Sequence, residues 1–369
     1  MYGKTIRENF VKTVGCGVLG AGWWATTSHL PALKKHPRAR VLAVQSLRKE
    51  DAERVARDFD AGRGVATVEE LVSVKGIEAV VDASTPNMHY HNARTCLEHG
   101  LHVLTEKPMT LTAEQSGELV ELARRKKLHL MIGCPWHFTE HALSARELIR
   151  SGVLGKLKLV SILFTNFSGG LYRSRTWRDL MAEGGDDNYR EPYVVPELKS
   201  YSDPSISGGG QIFCQVSHAA AFLGFLGLAD PEEVFARFDS AEINIDVYDA
   251  LNIRLLDDCL VSLASTGDTM LSDRQFELRI FGTEGMILME LWKGTLAFHP
   301  RKGGVQVYPK LQPEDIYPMY QPATNFVDLV LGMASNGSPG ELGHYAMTII
   351  DAACRSAKSG ENVKLHHRN

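Results

Sequence analysis

The first third of the chain alternates short apolar segments with longer segments whose apolar positions recur at helical spacing. Five apolar, strand-like runs end near Leu19, Ser46, Thr85, Glu106 and Gly133. Helix-compatible segments follow each of the first four runs, at about residues 22–33, 49–58, 89–99 and 112–127. Strands that alternate with helices in this way predict a parallel, doubly wound sheet.

The rest of the chain has a different pattern. Residues 249–267 and 274–290 alternate apolar and polar positions, which predicts strands of an open sheet. Residues 322–337 and 344–360 show helical spacing and end near glycines. A length of 369 residues favours two domains. We therefore predict a dinucleotide-binding domain over 1–134 and a substrate-binding α+β domain over 135–369, with a long active-site loop over 171–207.

Composition narrows the class of protein. Hydrophobic residues make up 44% and charged residues 23% of the chain, as in ordinary globular proteins. A net charge of -4 gives no basic field for nucleic acid, and no apolar run approaches the roughly 20 residues that cross a bilayer. The first 20 residues lack a secretory pattern. The six cysteines form no CxxC pair, so we expect reduced thiols, a cytoplasmic protein and no metal site.

A glycine turn follows the first predicted strand. Gly20, Gly22 and Ala25 fit the dinucleotide fingerprint, with alanine as the third small residue. Gly20 would make the tight turn, and Gly22 would let backbone amides approach a pyrophosphate at the start of a helix. Trp23 and Trp24 lie in the same turn and are also predicted to contact the cofactor.

The end of the second predicted strand bears on cofactor choice. An NAD site normally carries an acidic residue there to bind the ribose hydroxyls. This chain has Ser46 at that position, with Arg48 and Lys49 close by. Ser46 and Arg48 could receive the 2′-phosphate of NADP, although a serine can also bind the ribose of NAD. NAD and NADP both stay open as cofactors.

Two more segments follow later strands, at the sheet edge where such folds bind ligands. Residues 84–93 read STPNMHYHNA, and residues 105–112 read TEKPMTLT. Pro108 fixes the backbone after Lys107 and aims the lysine at the cleft. The predicted cofactor-binding residues of these segments are Ser84, Thr85, Pro86, Asn87, His89, Glu106 and Lys107.

These segments, together with GVLGAGWWA at 17–25, GGGQIFCQVSH at 208–218 and the closing helix pattern, resemble the Gfo/Idh/MocA family of oxidoreductases. The resemblance implies a Rossmann domain followed by an α+β domain with a large open, mainly antiparallel sheet. It also implies a nicotinamide cofactor and a carbohydrate or polyol substrate. A homodimer or homotetramer that packs through the sheet is a further implication.

The resemblance assigns two catalytic candidates. Lys107 matches the family lysine that contacts the reacting hydroxyl, and His218 matches the histidine that accepts or orients its proton. Four residues before His218 the family usually has aspartate, whereas this chain has Cys214. Two residues do not make a metal site, and the chemistry needs no nucleophilic thiol. We expect Cys214 to pack as a small residue on a buried helix.

Aromatic and basic residues in the second domain are substrate-binding candidates. Arginines suit an anionic sugar substituent, and a tryptophan suits a sugar ring. The loop also contains Arg178, and its arginines could instead pair with Glu183, Asp186, Asp187 and Glu191. The substrate-binding candidates are Trp136, His137, Tyr172, Arg173, Arg175, Trp177, Gln215 and His218.

Three functions fit these patterns. The first is a nicotinamide-dependent oxidoreductase acting on a secondary alcohol of a sugar or polyol, including an anionic sugar. The second is a redox-neutral NAD-dependent glycosidase that works through a transient 3-keto sugar, with acidic glycosides among its substrates and His137, Tyr172 or Tyr193 as a second base. The third is a non-catalytic dinucleotide sensor. The presence of both Lys107 and His218 argues against it.

Overall fold

The computed structural model describes residues 12–183, 192–195 and 197–365. Its first sheet has six parallel strands in the order β3-β2-β1-β4-β5-β6. All six residues of the first strand are buried, so its apolar run is a central strand covered on both faces. The strands are Val14–Leu19 (β1), Ala39–Gln45 (β2), Arg63–Val65 (β3), Ala79–Asp82 (β4), His102–Thr105 (β5) and Leu130–Ile132 (β6).

Helices alternate with these strands as the sequence predicts, but the sequence pattern did not predict the short strand Arg63–Val65 or the short helix Val68–Val72. A π-helical stretch, Ala25–His29, precedes the first α-helix. The α-helices are Leu30–Lys35 (α1), Lys49–Asp58 (α2), Val68–Val72 (α3), Pro86–Glu98 (α4) and Ala113–Lys126 (α5). The strand order reverses between β1 and β4, and such a switch point opens a crevice at the carboxyl ends of the strands. The glycine turn and the segment after β4 both lie there.

The second sheet has nine strands in the order β14-β13-β12-β11-β7-β10-β9-β8-β15. Only the pairing of β7 with β10 is parallel among its described pairs. The α/β fold with a separate, mainly antiparallel sheet is therefore confirmed. Its strands are Leu157–Thr165 (β7), Pro231–Asp239 (β8), Tyr248–Leu255 (β9), Leu260–Thr266 (β10), Gln275–Gly282 (β11), Gly285–Glu290 (β12), Thr295–Pro300 (β13), Gln306–Val307 (β14) and Val363–Lys364 (β15).

Helices cover one face of this sheet and join it to the first domain. They are Glu140–Arg150 (α6), Gly169–Tyr172 (α7), Trp177–Glu183 (α8), Lys199–Ser202 (α9), Pro204–Ser207 (α10), Ser217–Phe225 (α11), Pro313–Ile316 (α12), Gln321–Val330 (α13) and Gly340–Ser359 (α14). Pro135–Phe138 and Leu271–Asp273 are 3₁₀ turns, and Ile212–Val216 is π-helical. No helix in the described part of the chain is both long and apolar enough to span a bilayer.

The last third of the chain returns to the first domain. Ala323, Phe326 and Val327 of α13 share a core cluster with Val14 and Val81 of the first sheet. Helix α14 packs against α5 as well as against α11 and β8. The boundary at 134/135 remains a prediction, and this packing shows that helices distant in sequence complete the core of the Rossmann domain.

The other face of the second sheet is open. Exposed and buried residues alternate along β9 and β10, as in a sheet covered on one side. Its outward-facing residues include Leu159, Leu163 and Leu260, with exposed fractions of 37%, 39% and 52%. An association of subunits through this face remains a prediction.

Candidate active site

A single cavity of about 1640 Å³ joins the crevice of the first sheet to the second domain. A cavity of this size has room for a dinucleotide and a small substrate. Most of the residues predicted from sequence to bind cofactor or substrate line its wall: Gly20, Gly22, Trp23, Trp24, Ser46, Arg48, Ser84, Thr85, Pro86, His89, Glu106, Lys107, Trp136, Trp177, Gln215 and His218.

The glycine turn fits a dinucleotide. Gly20 has a φ of 85°, and a Cβ there would lie 2.5 Å from the carbonyl oxygen of Ala83. Only glycine meets both requirements without strain. A Cβ at Gly22 would meet no protein atom within 4 Å, although the residue lies at the start of a helix. The protein thus leaves an open cradle of the kind that a pyrophosphate occupies.

The corner of the cavity below β2 contains Ser46, Arg48 and Arg54. Ser46 is half-buried, whereas the Arg48 side chain is 76% exposed. Both arginines pair with Asp51, at 2.7 Å from Arg48 and 3.0 Å from Arg54. Arg48 and Arg54 share this one carboxylate, and Glu69 also lines the cavity. Such a corner can accept the ribose of either nucleotide or a 2′-phosphate.

Glu106 connects the segment that contains Lys107 to the glycine turn that contains Trp24. Its Oε1 accepts a hydrogen bond of 2.9 Å from Trp24 Nε1 and lies 2.8 Å from His29 Nε2. Its Oε2 accepts the backbone N–H of Lys107 at 3.3 Å. A buried carboxylate with several donors is held firmly in one place. Glu106 therefore positions Lys107 and Trp24 relative to each other.

His89 supports the same turn from below. It is buried, and its two ring nitrogens lie 2.7 Å from the carbonyl oxygen of Pro108 and 3.1 Å from that of Ser84. The peptide bond between Lys107 and Pro108 is cis. His89 thus connects the segment after β4 to the segment that follows β5.

Lys107 and His218 both line the cavity. Lys107 Nζ donates a hydrogen bond of 2.7 Å to the backbone oxygen of Cys214, four residues before His218. The Trp136 ring packs edge-on against His218, with centroids 5.1 Å apart. The sequence predicts that these two side chains act together, and the structure brings them to one cavity wall.

The environment of His218 keeps its imidazole neutral. Burial holds the pKa of His218 well below its usual range, and the positive charge of Lys107 lowers it further. Its Nδ1 is buried without a hydrogen-bond partner among the described residues. A neutral imidazole beside an ammonium group can accept a proton from a hydroxyl while the ammonium donates to the same oxygen.

Cys214 is half-buried and also lines the cavity. It packs against the cluster of Tyr172, Ile245 and Val247, as expected for a small packing residue. The thiol sulfur also accepts a hydrogen bond of 3.5 Å from Gln215 Nε2, so it lies between an apolar cluster, a polar side chain and the cavity. No group of three or more potential metal ligands occurs within the described ranges.

Five sequence candidates lie away from the cavity wall. His137 is buried and stacks on Phe225, Tyr172 donates to Gln211 Oε1 at 2.8 Å in the core, and Asn87 is exposed. Arg173 pairs with Asp268 and Arg175 with Glu183, so both guanidinium groups are already neutralised. Pairing with acidic residues was the alternative that the sequence analysis left open for these arginines, with Glu183 among the partners named there. The proposed partners Asp186, Asp187 and Glu191 lie outside the described residues.

The cavity wall also contains residues that the sequence motifs did not predict. Tyr201, Arg274, Trp292 and Tyr317 line it beside Trp136. Trp292 and Tyr317 each pack against Trp136, with centroids 4.9 and 4.8 Å away. Trp136, Trp292 and Tyr317 come from three segments far apart in sequence, and no spacing rule connects such segments. Tyr193, a candidate second base, contacts Asp58 and Phe59 outside the wall.

Two family models match the chain. Residues 14–134 match the oxidoreductase family with an NAD-binding Rossmann fold, and residues 142–288 match the GFO/IDH/MocA C-terminal domain. The chain belongs to the Gfo/Idh/MocA family of oxidoreductases. Its cofactor is a nicotinamide dinucleotide.

Curated relatives include two sugar enzymes. The dTDP-3,4-didehydro-2,6-dideoxy-alpha-D-glucose 3-reductase of Saccharopolyspora spinosa is 36% identical over 154 residues, 42% of this chain and 46% of that protein. The glucose-6-phosphate 3-dehydrogenase of Bacillus subtilis (strain 168) is 27% identical over 163 residues, 44% of this chain and 45% of that protein. The aligned part thus spans less than half of each relative.

A solved levoglucosan dehydrogenase, in complex with NADH and levoglucosan, has the same fold. It superposes with a TM-score of 0.75 over 96% of this chain and 99% of that one, at 17% identity. At this identity the similarity establishes the architecture of both domains.

Proposed function

We propose that this protein interconverts a secondary alcohol and a ketone on a sugar or polyol, using a nicotinamide cofactor. The observation that carries the proposal is the convergence of Lys107 and His218, from different domains, on the cavity wall that the glycine turn also lines. The two curated relatives act on sugars, as their names state. A shared cavity gives the proton-transfer groups and the cofactor access to one carbon atom.

The side chains divide the proton chemistry of this reaction. The bound nicotinamide ring would accept or return the hydride. His218, held neutral, takes the hydroxyl proton during oxidation and returns it during reduction. Lys107 donates a hydrogen bond to the same oxygen and stabilises the negative charge that develops on it. Trp136 holds the His218 ring in place and, with Trp292, excludes water.

A redox-neutral glycosidase is the second candidate, because the cavity presents Cys214 where the family usually has aspartate. Oxidation at C3 of a sugar acidifies the C2 proton, so that the C1 group can be eliminated. Tyr201 and Tyr317 line the cavity, and burial raises the pKa of both hydroxyls. Protonated phenols at this position could donate to a leaving group. The two relatives named above act at position 3 of their sugars.

One assay separates the two candidates. Free sugars and aryl glycosides are offered side by side, with absorbance of reduced nicotinamide and release of the C1 group followed together. We expect reduced nicotinamide in proportion to ketone and no glycoside cleavage. In Cys214→Asp, a carboxylate beside His218 should further favour net oxidation of free sugars, whereas Cys214→Ala should retain most activity. Cofactor-dependent cleavage without accumulation of reduced nicotinamide would instead establish the glycosidase.

Cofactor choice is tested at Ser46. We propose that Ser46 and Arg48 border the ribose 2′ position, which favours NADP over NAD. In Ser46→Asp the new carboxylate repels a 2′-phosphate, so the dissociation constant for NADP should rise by about 10-fold or more and that for NAD should change little. Titration of both nucleotides against both proteins measures this. An equal effect on the two nucleotides would place Ser46 away from the ribose.

A further inference from the structure

Arg274 lies in the substrate half of the cavity. It follows the 3₁₀ turn Leu271–Asp273 and directly precedes β11. The residue is half-buried and lines the cavity. Its guanidinium carbon lies 4.0 Å from the centroid of the Trp292 ring. Stacking on an indole fixes the plane of a guanidinium and leaves its N–H edges free to donate.

The guanidinium of Arg274 lacks a carboxylate partner. Throughout residues 12–183, 192–195 and 197–365, no acidic oxygen lies within ion-pair distance of it, and no hydrogen bond from its side chain is formed. The other two arginines of the cavity wall, Arg48 and Arg54, both pair with Asp51. Arg274 thus differs from them in lining the cavity without an ion pair of its own among the described residues.

Glu290 is the acidic residue whose charge acts on Arg274. Its Oε1 is committed to the backbone, whereas its buried Oε2 has no hydrogen-bond partner among the described residues. Its Oε1 accepts the N–H groups of Phe276 at 2.8 Å and Trp292 at 3.2 Å. Burial raises the pKa of Glu290. Burial also lowers the pKa of Arg274, as expected for a cation withdrawn from water. A half-buried cation of this kind lowers the stability of the fold unless an anion lies beside it.

Ring contacts locate Arg274 relative to the reacting groups. The Trp136 ring contacts His218 on one side and Trp292 on the other, with centroids 5.1 and 4.9 Å away. Arg274 stacks on the Trp292 ring. The contacts therefore form a continuous series from His218 through Trp136 and Trp292 to Arg274.

We propose that Arg274 binds an anionic substituent of the sugar, a carboxylate, phosphate or sulfonate, while the carbinol at the other end of the sugar faces Lys107 and His218. This inference rests on the proposed sugar oxidation in the same cavity, and it assigns the substrate to the class of anionic sugars. The planar guanidinium matches the oxygens of all three groups with paired hydrogen bonds.

The experiment compares Arg274→Gln with the wild type on matched sugars. The substrates are glucose, glucosamine, glucuronate, glucose 6-phosphate and 6-deoxy-6-sulfoglucose, each assayed with the preferred cofactor. Arg355→Gln is the control, because Arg355 is an exposed arginine on α14 that pairs with Asp351 at 3.1 Å. Calorimetry of each sugar binding to the complex of enzyme and reduced cofactor supplies a readout that does not require turnover.

The wild type should prefer at least one anionic sugar. Arg274→Gln should lower kcat/KM for that sugar by about 10- to 100-fold, mostly through KM, because a charge-assisted pair contributes in the ground state and the transition state alike. Neutral sugars should change by less than about 3-fold. Which of the three anionic sugars loses most identifies the acid group. Arg274→Lys should restore binding only in part, because the lysine ammonium group lacks the planar pair of N–H donors that a guanidinium offers to an anion.

Two results would overturn the inference. One is a wild-type preference for glucose or glucosamine over every anionic sugar. The other is an Arg274→Gln variant that loses neutral and anionic sugars equally. Failure of the proposed function looks different. In that case no sugar is turned over, while an anionic sugar still binds to the cofactor complex and loses affinity in Arg274→Gln alone.

Discussion

Lys107→Met should lower kcat by about two orders of magnitude or more while the dissociation constant for the nucleotide stays within about 3-fold of the wild type. Methionine keeps most of the length of the side chain and removes the ammonium group. The hydrogen bond to the backbone oxygen of Cys214 is lost, and so is the donor to the reacting oxygen. Steady-state kinetics with the best sugar, together with nucleotide titration, measure both quantities.

The same variant should also change the pH dependence. Because the charge of Lys107 holds the pKa of His218 down, removing that charge should raise this pKa. Activity requires a neutral His218, so it is lost as pH falls through that pKa. The acid limb of kcat/KM should therefore move to higher pH in Lys107→Met. In the wild type it should lie below the ordinary range of histidine.

A matched control is available at Lys126. Its Nζ also donates to a backbone oxygen, that of Glu98 at 2.8 Å, but on the exposed surface of α5. Lys126→Met should leave turnover and the pH profile unchanged. Normal turnover in Lys107→Met would remove this lysine from the mechanism, and an unshifted acid limb would show that its charge does not act on His218.

The first domain and the segment around His218 in the second domain were predictable from sequence because their signals are local. A buried central strand is visible in the sequence as an apolar run. The three motifs GVLGAGWWA, TEKPMTLT and GGGQIFCQVSH each occupy fewer than a dozen consecutive residues. The predicted helix at 49–58 matches α2, and the predicted helix at 112–127 differs from α5 by one residue at each end. These motifs supply the cofactor crevice, Lys107 and His218.

The substrate half of the cavity was less predictable, because long-range packing assembles it. Trp292 follows β12, Tyr317 follows α12, and only the folded chain brings them against Trp136. The sequence favoured Arg173 and Arg175, which share a loop with aromatic residues. It could not show that Asp268 and Glu183 neutralise them. Whether an arginine is free or paired depends on the partner's position in space, which is why Arg274 was missed.

Gly22→Val should abolish cofactor binding without unfolding the protein. A side chain at Gly22 would point into space where no protein atom lies within 4 Å, so the fold has room for it. Backbone amides at this turn can approach a pyrophosphate only if that space stays empty. We expect the dissociation constant for NAD(H) and NADP(H) to rise by about 100-fold or more, because an isopropyl group blocks the approach.

Stability and binding must be measured together for this test. The melting temperature of Gly22→Val without nucleotide should stay within about 3 °C of the wild type, since a solvent-facing substitution changes stability little. Gly304→Val is the matched control: a Cβ there also meets nothing within 4 Å, and the residue lies outside the cavity wall. It should leave nucleotide affinity unchanged. Undiminished affinity in Gly22→Val would mean that the pyrophosphate does not lie at this turn, whereas a large fall in melting temperature would show that the space is needed by the protein itself.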